Sequence, residues 1–159
     1  MADHGGRESV VVRAADTDDR AAVQGVLDAA LLEPGDVSDL LAAGRGLVAE
    51  REEGGTAVGT LLAPATVPAA DRPSPDGGTG TAGPEPSVDA HVLAVAVRPG
   101  ARGRGVGSAL VRAAGEDWGR LGAAYEPVLR PFYEGLGFES VGTLEDGREY
   151  GVRPAQPGG

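Results

Sequence analysis

The stretch Val97-Arg98-Pro99-Gly100-Ala101-Arg102-Gly103-Arg104-Gly105-Val106-Gly107-Ser108 gathers the residue types best suited to holding an anion. An apolar run ends, glycines remove side chains, and a helical pattern begins, so several backbone N–H groups point outward into one concavity. Such a turn binds phosphate oxygens through N–H groups without an intrahelical partner and through the positive end of the helix dipole. Charge supports the same reading independently. Ala90 to Gly115 holds Arg98, Arg102, Arg104 and Arg112 with no Asp or Glu, so this window carries +4 within a chain of net charge -10, leaving -14 elsewhere. A solvated Gly/Arg turn formed for packing reasons is the alternative. A dinucleotide fingerprint fits poorly: Ser108 occupies its last position, and no second parallel strand places an acidic residue about 20 positions on.

The rest of the composition narrows the chemistry. The 159 residues suit one domain and exclude two large ones. With 24 acidic side chains against 14 basic ones, sequence-independent binding to nucleic acid is not expected. Every basic residue is Arg, and Lys, Cys, Ile and Asn are absent. Without Cys, and with only His4 and His91, thiol catalysis, disulfides, zinc fingers and iron-sulfur clusters lack their ligands, so no metal is expected. Schiff-base chemistry on Lys is excluded too. Lys, Ile and Asn have A/T-rich codons, so their joint absence suggests a GC-rich genome, and the acid excess resembles a halophile-like, salt-adapted surface. Met1 to Glu8 is polar, and no apolar run reaches the ~20 residues of a spanning helix, which predicts a soluble, cytoplasmic protein with no membrane partner.

The elements that would position the loop follow from the pattern along the chain. Ser9 to Arg13 reads as a strand, and Asp16 or Thr17 caps a helix with apolar positions Val23, Val26, Leu27, Ala30 and Leu31. Val37 to Ala43 makes a brief helix or turn. Gly46 to Glu50 and Ala57 to Ala63 flank a polar turn as a hairpin. Pro64 to Ser87 holds six of the chain's 12 Pro and is expected to be a mobile insertion. Asp89 to Val97 reads as one central strand, Gly105 to Leu121 as a helix, Ala123 to Leu129 as a strand broken by Pro127, and Phe132 to Leu136 as a helix opened by Pro131. Phe138 to Leu144 and Arg148 to Val152 flank Asp146-Gly147, a two-residue hairpin turn. The expected organisation is a disordered 1–8, a domain over 9–152 with an insertion at 64–87, and a flexible 153–159. The order of elements gives a mixed α/β sheet covered by helices.

Val97-x-Pro99-x-x-Arg102-Gly103-Arg104-Gly105-Val106-Gly107-Ser108-Ala109-Leu110 resembles the acyl-CoA-binding motif of the Gcn5-related N-acetyltransferases (GNAT), whose core is Arg/Gln-x-x-Gly-x-Gly/Ala. Pro131-Phe132-Tyr133-Glu134-Gly135-Leu136-Gly137-Phe138 resembles that family's Tyr-bearing helix running into a Gly-Phe strand start. The resemblance covers roughly Val10 to Val152. It implies the acyl-CoA N-acyltransferase fold, a mixed, mostly antiparallel, V-shaped sheet flanked by helices. It implies acetyl-CoA as acyl donor, its pyrophosphate on the N–H groups of Gly103, Arg104, Gly105, Val106, Gly107 and Ser108, its pantetheine arm along Val95, Ala96 and Val97, and Arg102 and Arg104 nearest the phosphates.

The activity so implied is transfer of an acetyl group to a primary amine of a small molecule or peptide. The amine must be neutral to attack, and the leaving thiolate needs a proton. Tyr133 stands in the family's Tyr position as general acid, or else packs with Phe132 and Phe138. His91 precedes Val97 by six positions, where histone-modifying members place a catalytic glutamate, and suits a base near neutral pH. A locally hydrogen-bonded His is the other reading, with Asp89 and Glu50 as fallback bases. Only nine residues separate Gly122 from Phe132, and the Asn many members carry there is missing. A non-catalytic acyl-CoA sensor of the same fold, or a nucleotide-binding protein using the same loop, are the competing functions. The acid-rich surface, including Glu33, Asp36, Asp39 and Glu50 to Glu53, would suit a cationic acceptor, and the same acids are equally expected on any solvated, salt-adapted face. A homodimer is compatible with the sequence and not demanded by it.

Overall fold

A computed structural model describes residues 9–30, 32, 37–73 and 87–155. The expectations for residues 1–8, for Glu33 and Asp36, and for 74–86 of the insertion lie outside the described residues. The chain divides into two compact units, Met1–Ala63 with Ala94–Ala113, and Pro64–Leu93 with Ala114–Gly159.

The first unit is built on a four-stranded antiparallel sheet in the order β1-β2-β3-β5, formed by β1 (Val10–Ala14), β2 (Gly46–Arg51), β3 (Ala57–Leu62) and β5 (Ala94–Val97). Helix α1 (Arg20–Ala29) is entered through a capping box. The Asp16 carboxylate accepts from Asp18 N, and Asp19 accepts from Asp16 N, each at 2.9 Å. Its face Val23, Val26 and Leu27 packs with Val37 and Leu41 of α2 (Val37–Ala42) against Val48, Leu62, Ala94 and Ala96. Gly59 lies on the other side of β3. A Cβ there would meet Val106 at 2.8 Å and Leu110 at 3.1 Å, so the residue that weakens the strand is the one that admits the start of helix α3 (Val106–Trp118).

The second unit holds a mixed sheet in the order β4-β6-β8-β7, from β4 (Ala90–Val92), β6 (Leu121–Tyr125), β7 (Glu139–Thr143) and β8 (Glu149–Arg153). β4 runs parallel to β6, and the other pairings are antiparallel. Alternation along these strands sorts the side chains onto two faces. Leu121, Ala123 and Tyr125 share a face with their register partners Arg153, Gly151 and Glu149. Gly122, Ala124, Tyr150, Val152 and His91 share the opposite one. Helix α4 (Arg130–Gly135) packs on the first face through Tyr133 on Tyr125. Val67, Leu144, Tyr150 and Val152 make the core of the second face.

Several expectations change. Asp89 to Val97 is two strands, β4 and β5, which leave one sheet and enter the other across Leu93; an apolar run carries no alternation from which such a break could be read. The terminal hairpin turn has three residues, Glu145 to Gly147. Leu144 N bonds to Arg148 O at 2.7 Å, and only Gly147 has a positive φ, +94°. Arg153, assigned to the tail, is the buried last residue of β8. Tyr125 ends β6, and Pro127–Leu129 is a 3-10 turn. Residues 64–73 of the insertion are packed: Val67 is buried and Ala69–Asp71 forms a 3-10 turn.

Gly122 tests this arrangement. A Cβ there would lie 2.1 Å from the Tyr150 hydroxyl oxygen. We expect Gly122→Ala to destabilise the protein by about 1–3 kcal/mol in urea denaturation. Gly100→Ala, with open space and no strained φ, is expected to change stability by less than about 0.5 kcal/mol.

Candidate functional site

The glycine loop hangs between β5 and α3. After Val97 the chain makes a 3-10 turn, Pro99–Ala101, anchored by the fully buried Ala101. Gly103 and Gly105 follow with φ of +76° and +86°, conformations that side chains resist, and nothing lies within 4 Å of a Cβ built on either. The need for glycine is therefore conformational, and the space it leaves faces outward. Ala109 N makes the first helical bond, to Gly105 O at 3.0 Å, so the N–H groups of Gly105, Val106, Gly107 and Ser108 precede the ladder. Val106 is buried and pins the helix start, while residues 102–105 are exposed. A turn of this geometry presents the kind of backbone donors that can receive an anion.

The basic island is less uniform than its composition. Arg98 turns inward, its Nε donating to Ala57 O at 3.0 Å. Arg102 is exposed and folds back on its own strand, Nε to Val97 O at 3.0 Å. Arg104 and Arg112 are exposed. β5 is the last strand of its sheet. Arg98 N bonds to Val58 O, so by alternation Ala94 and Ala96 face β3 while Val95 and Val97 turn their backbone groups to the open edge. An extended amide-bearing chain could pair there.

Tyr133 lies in an aromatic cluster in the second unit. It stacks on Tyr125 with centroids 4.4 Å apart and meets Phe132 and Phe138 edge-on at 5.0 and 5.2 Å. Burial, with a smaller effect of Tyr125, pushes its phenol up to about 12, so it keeps its proton across the working range of pH. Tyr125, which the sequence reading missed, is buried with its hydroxyl unpartnered over Gly151. A signal was present: four of the six aromatic residues fall between Tyr125 and Phe138.

His91 sits on the opposite face of the same sheet from Tyr125 and Tyr133. Its side chain is fully buried. Nε2 lies 2.9 Å from the Asp71 carboxylate and Nδ1 3.1 Å from the Tyr150 hydroxyl. A carboxylate only accepts, so Nε2 carries a proton. Asp71 also takes Arg148 at 3.0 Å, and its carboxyl is held below the usual range by the His91 bond first and then by Arg148. The cluster Asp71-His91-Tyr150-Arg148 fastens residues 64–73 to β4 and β8. Both ring nitrogens are thus engaged inside the protein, and the strand that carries His91 ends at Val92, before β5 begins. The fallback bases are engaged as well. Glu50 is gripped by Arg13 at 2.8 Å, and Asp89 accepts from Arg120 N at 2.8 Å.

Comparison with known proteins gives a consistent picture. A family model described as "Acetyltransferase (GNAT) domain" matches residues 42–140. No match was found among curated protein sequences. Among solved structures, a GNAT-family acetyltransferase from Streptococcus agalactiae is similar with TM-score 0.72 and 14% identity, over 93% of this chain and 96% of that one. An acetyltransferase from Corynebacterium glutamicum related to a histone acetyltransferase gives 0.67 and 24%, over 94% and 98%. N-acetylglutamate synthase from Neisseria gonorrhoeae, complexed with coenzyme A and L-arginine, gives 0.64 and 16%; the match covers 95% of this chain and spans only 34% of the synthase.

The fastening cluster predicts an acid response. The lowered Asp71 carboxyl stabilises the fold above its unfolded value of about 3.9, and the contribution disappears as pH falls through the lower folded value. We expect Asp71→Asn to cost about 1–3 kcal/mol at neutral pH, a difference from the parent that shrinks below about pH 4 in denaturation experiments.

Proposed function

The chain belongs to the GNAT acetyltransferase family, and on that footing we propose that it transfers the acetyl group of acetyl-CoA to a primary amine by direct attack. The observation that carries the reading is the turn into α3. Gly103 and Gly105 adopt positive φ, the helix opens on N–H groups outside its own ladder, and Arg102 and Arg104 are exposed beside them. These groups would hold the pyrophosphate, and the open edge of β5 at Val95 and Val97 would pair with the pantetheine amides. The CoA complex of the similar synthase supports the donor.

Tyr133 is the general acid of this reading. As the amine nitrogen bonds to the acyl carbon and the carbon–sulfur bond breaks, the phenol hydrogen-bonds the thiolate and gives it a proton. The amine's surplus proton leaves to water. His91, Glu50 and Asp89 are engaged elsewhere, so amine deprotonation rests on the acceptor's own equilibrium. That same observation favours the second reading, a non-catalytic acyl-CoA-binding module. The acceptor is an amine of a small molecule or peptide. We also place the protein in the cytoplasm of a salt-adapted cell, a reading that loss of fold in molar KCl would overturn.

Calorimetry is expected to show acetyl-CoA binding, and its absence would reject the proposal. Thiol release from acetyl-CoA across a panel of primary amines separates transferase from module, since binding without release to any amine identifies the module. For the best amine, Tyr133→Phe should cut kcat by about 10²-fold with acetyl-CoA affinity changed less than about twofold. The rate should rise with pH as the amine loses its proton and show no fall up to about pH 10, because the Tyr133 phenol is pushed up to about 12.

A further inference from the structure

Helix α4 has six residues and no side-chain N-cap bond, too little to hold itself in place by its own hydrogen bonds. What holds it is one face of β8. Glu149, Gly151 and Arg153 alternate onto the face that α4 covers. Glu149 takes the guanidinium of Arg130, the first residue of α4, with Nε 3.1 Å from Oε1 and Nη2 on Oε2. Arg153 donates Nε to the carbonyl of Leu136, the residue that ends α4, at 2.8 Å. Between them Gly151 has no side chain, and the Tyr125 ring lies over it; a Cβ there would be 2.7 Å from the Tyr125 hydroxyl.

Tyr125 and Glu149 are register partners across β6 and β8. Tyr125 stacks on Tyr133 while Glu149 holds Arg130, and positions 130 and 133 are one helical turn apart on one side of α4. A single cross-strand pair therefore grips the helix at two points a turn apart, and Arg153 fixes its far end. The Glu149 side chain is 8% exposed while that of Arg130 is 49% exposed, so the anchor is rigid and the guanidinium closes over it from outside. The arrangement sets both the rotation of α4 about its axis and its position along β8.

We infer that Glu149, acting through Arg130, and Arg153 are positioning residues for the Tyr133 hydroxyl, with β8 serving as the cradle that aims a helix too short to aim itself. The catalytic part of this inference rests on the reading of Tyr133 as the general acid.

The test has a structural arm and a kinetic arm. In tyrosine-labelled protein, the ring signals of Tyr133, assigned by their loss in Tyr133→Phe, report its stacking on Tyr125 and its edge contacts. Glu149→Gln and Arg130→Gln are expected to move the Tyr133 signals toward unfolded-chain values and to leave Tyr150 unmoved. Glu126→Gln, an exposed acid in the preceding turn, should move neither. In thiol release with acetyl-CoA and the best amine of the panel, both variants should lower kcat about tenfold with KM for acetyl-CoA within about twofold. Neither should lower it further in a Tyr133→Phe background. Unmoved Tyr133 signals in both variants would overturn the inference, as would moved signals with an unchanged kcat while Tyr133→Phe is slow. If Tyr133→Phe itself leaves kcat unchanged, the general-acid reading fails, and the ring signals alone decide whether β8 positions the helix.

Discussion

Between Val92 and Ala94 the chain changes sheets, and much of the molecule follows from that step. Among the described residues β4 pairs with β6 and β5 with β3, and each stands last in the strand order of its sheet. A terminal strand keeps one row of backbone groups unpaired, which a protein ordinarily has to protect. Here β5 leads directly into the glycine turn, so the sheet edge, where Arg102 Nε takes the Val97 carbonyl, and the start of α3 are consecutive in the chain. The polypeptide thus places a sheet edge and a helix N-terminus within about a dozen residues of each other.

The second unit divides its work between the two sides of one sheet. Tyr133, Tyr125, Glu149 and Arg153 occupy one side, and His91, Tyr150, Asp71 and Arg148 the other. On both sides an aromatic ring overlies a glycine that a methyl group would spoil, Tyr125 over Gly151 and Tyr150 over Gly122. Two neighbouring strands supply both pairs, each glycine lying two residues along its strand from the register partner of the ring that covers it. The fold uses one packing device twice and attaches a different polar cluster to each.

The sequence made the local structure legible where a residue type had only one use. Asp16 as a helix cap, Pro131 in the first turn of α4 and the positive-φ glycines of the loop are of this kind, because cap, ring constraint and absent Cβ act within a few residues. Expectations failed where the deciding partner is distant. His91 has the chemistry of a base, and only the register of β4 against β6, with Asp71 twenty residues before it, shows that both ring nitrogens are engaged. Arg98 counts toward a basic island in composition yet spends its Nε on β3. Arg153 looked like tail because Pro154 follows it, while its side chain bonds Leu136, 17 positions back. Charge counts and periodicity register what a side chain is, and pairing decides where it points.

The arginine-only inventory of cations has a consequence for a member of an acetyltransferase family. Arg13 grips each of two carboxylates through two nitrogens, a paired contact that a planar fork makes and a single ammonium nitrogen does not, while Arg98 and Arg153 each donate Nε to a carbonyl. With no ε-amino group anywhere in its 159 residues, the chain has no lysine side chain for an activated acyl donor to acetylate. Its arginine cations stay protonated and are poor nucleophiles, so their ion pairs would persist in the presence of such a donor.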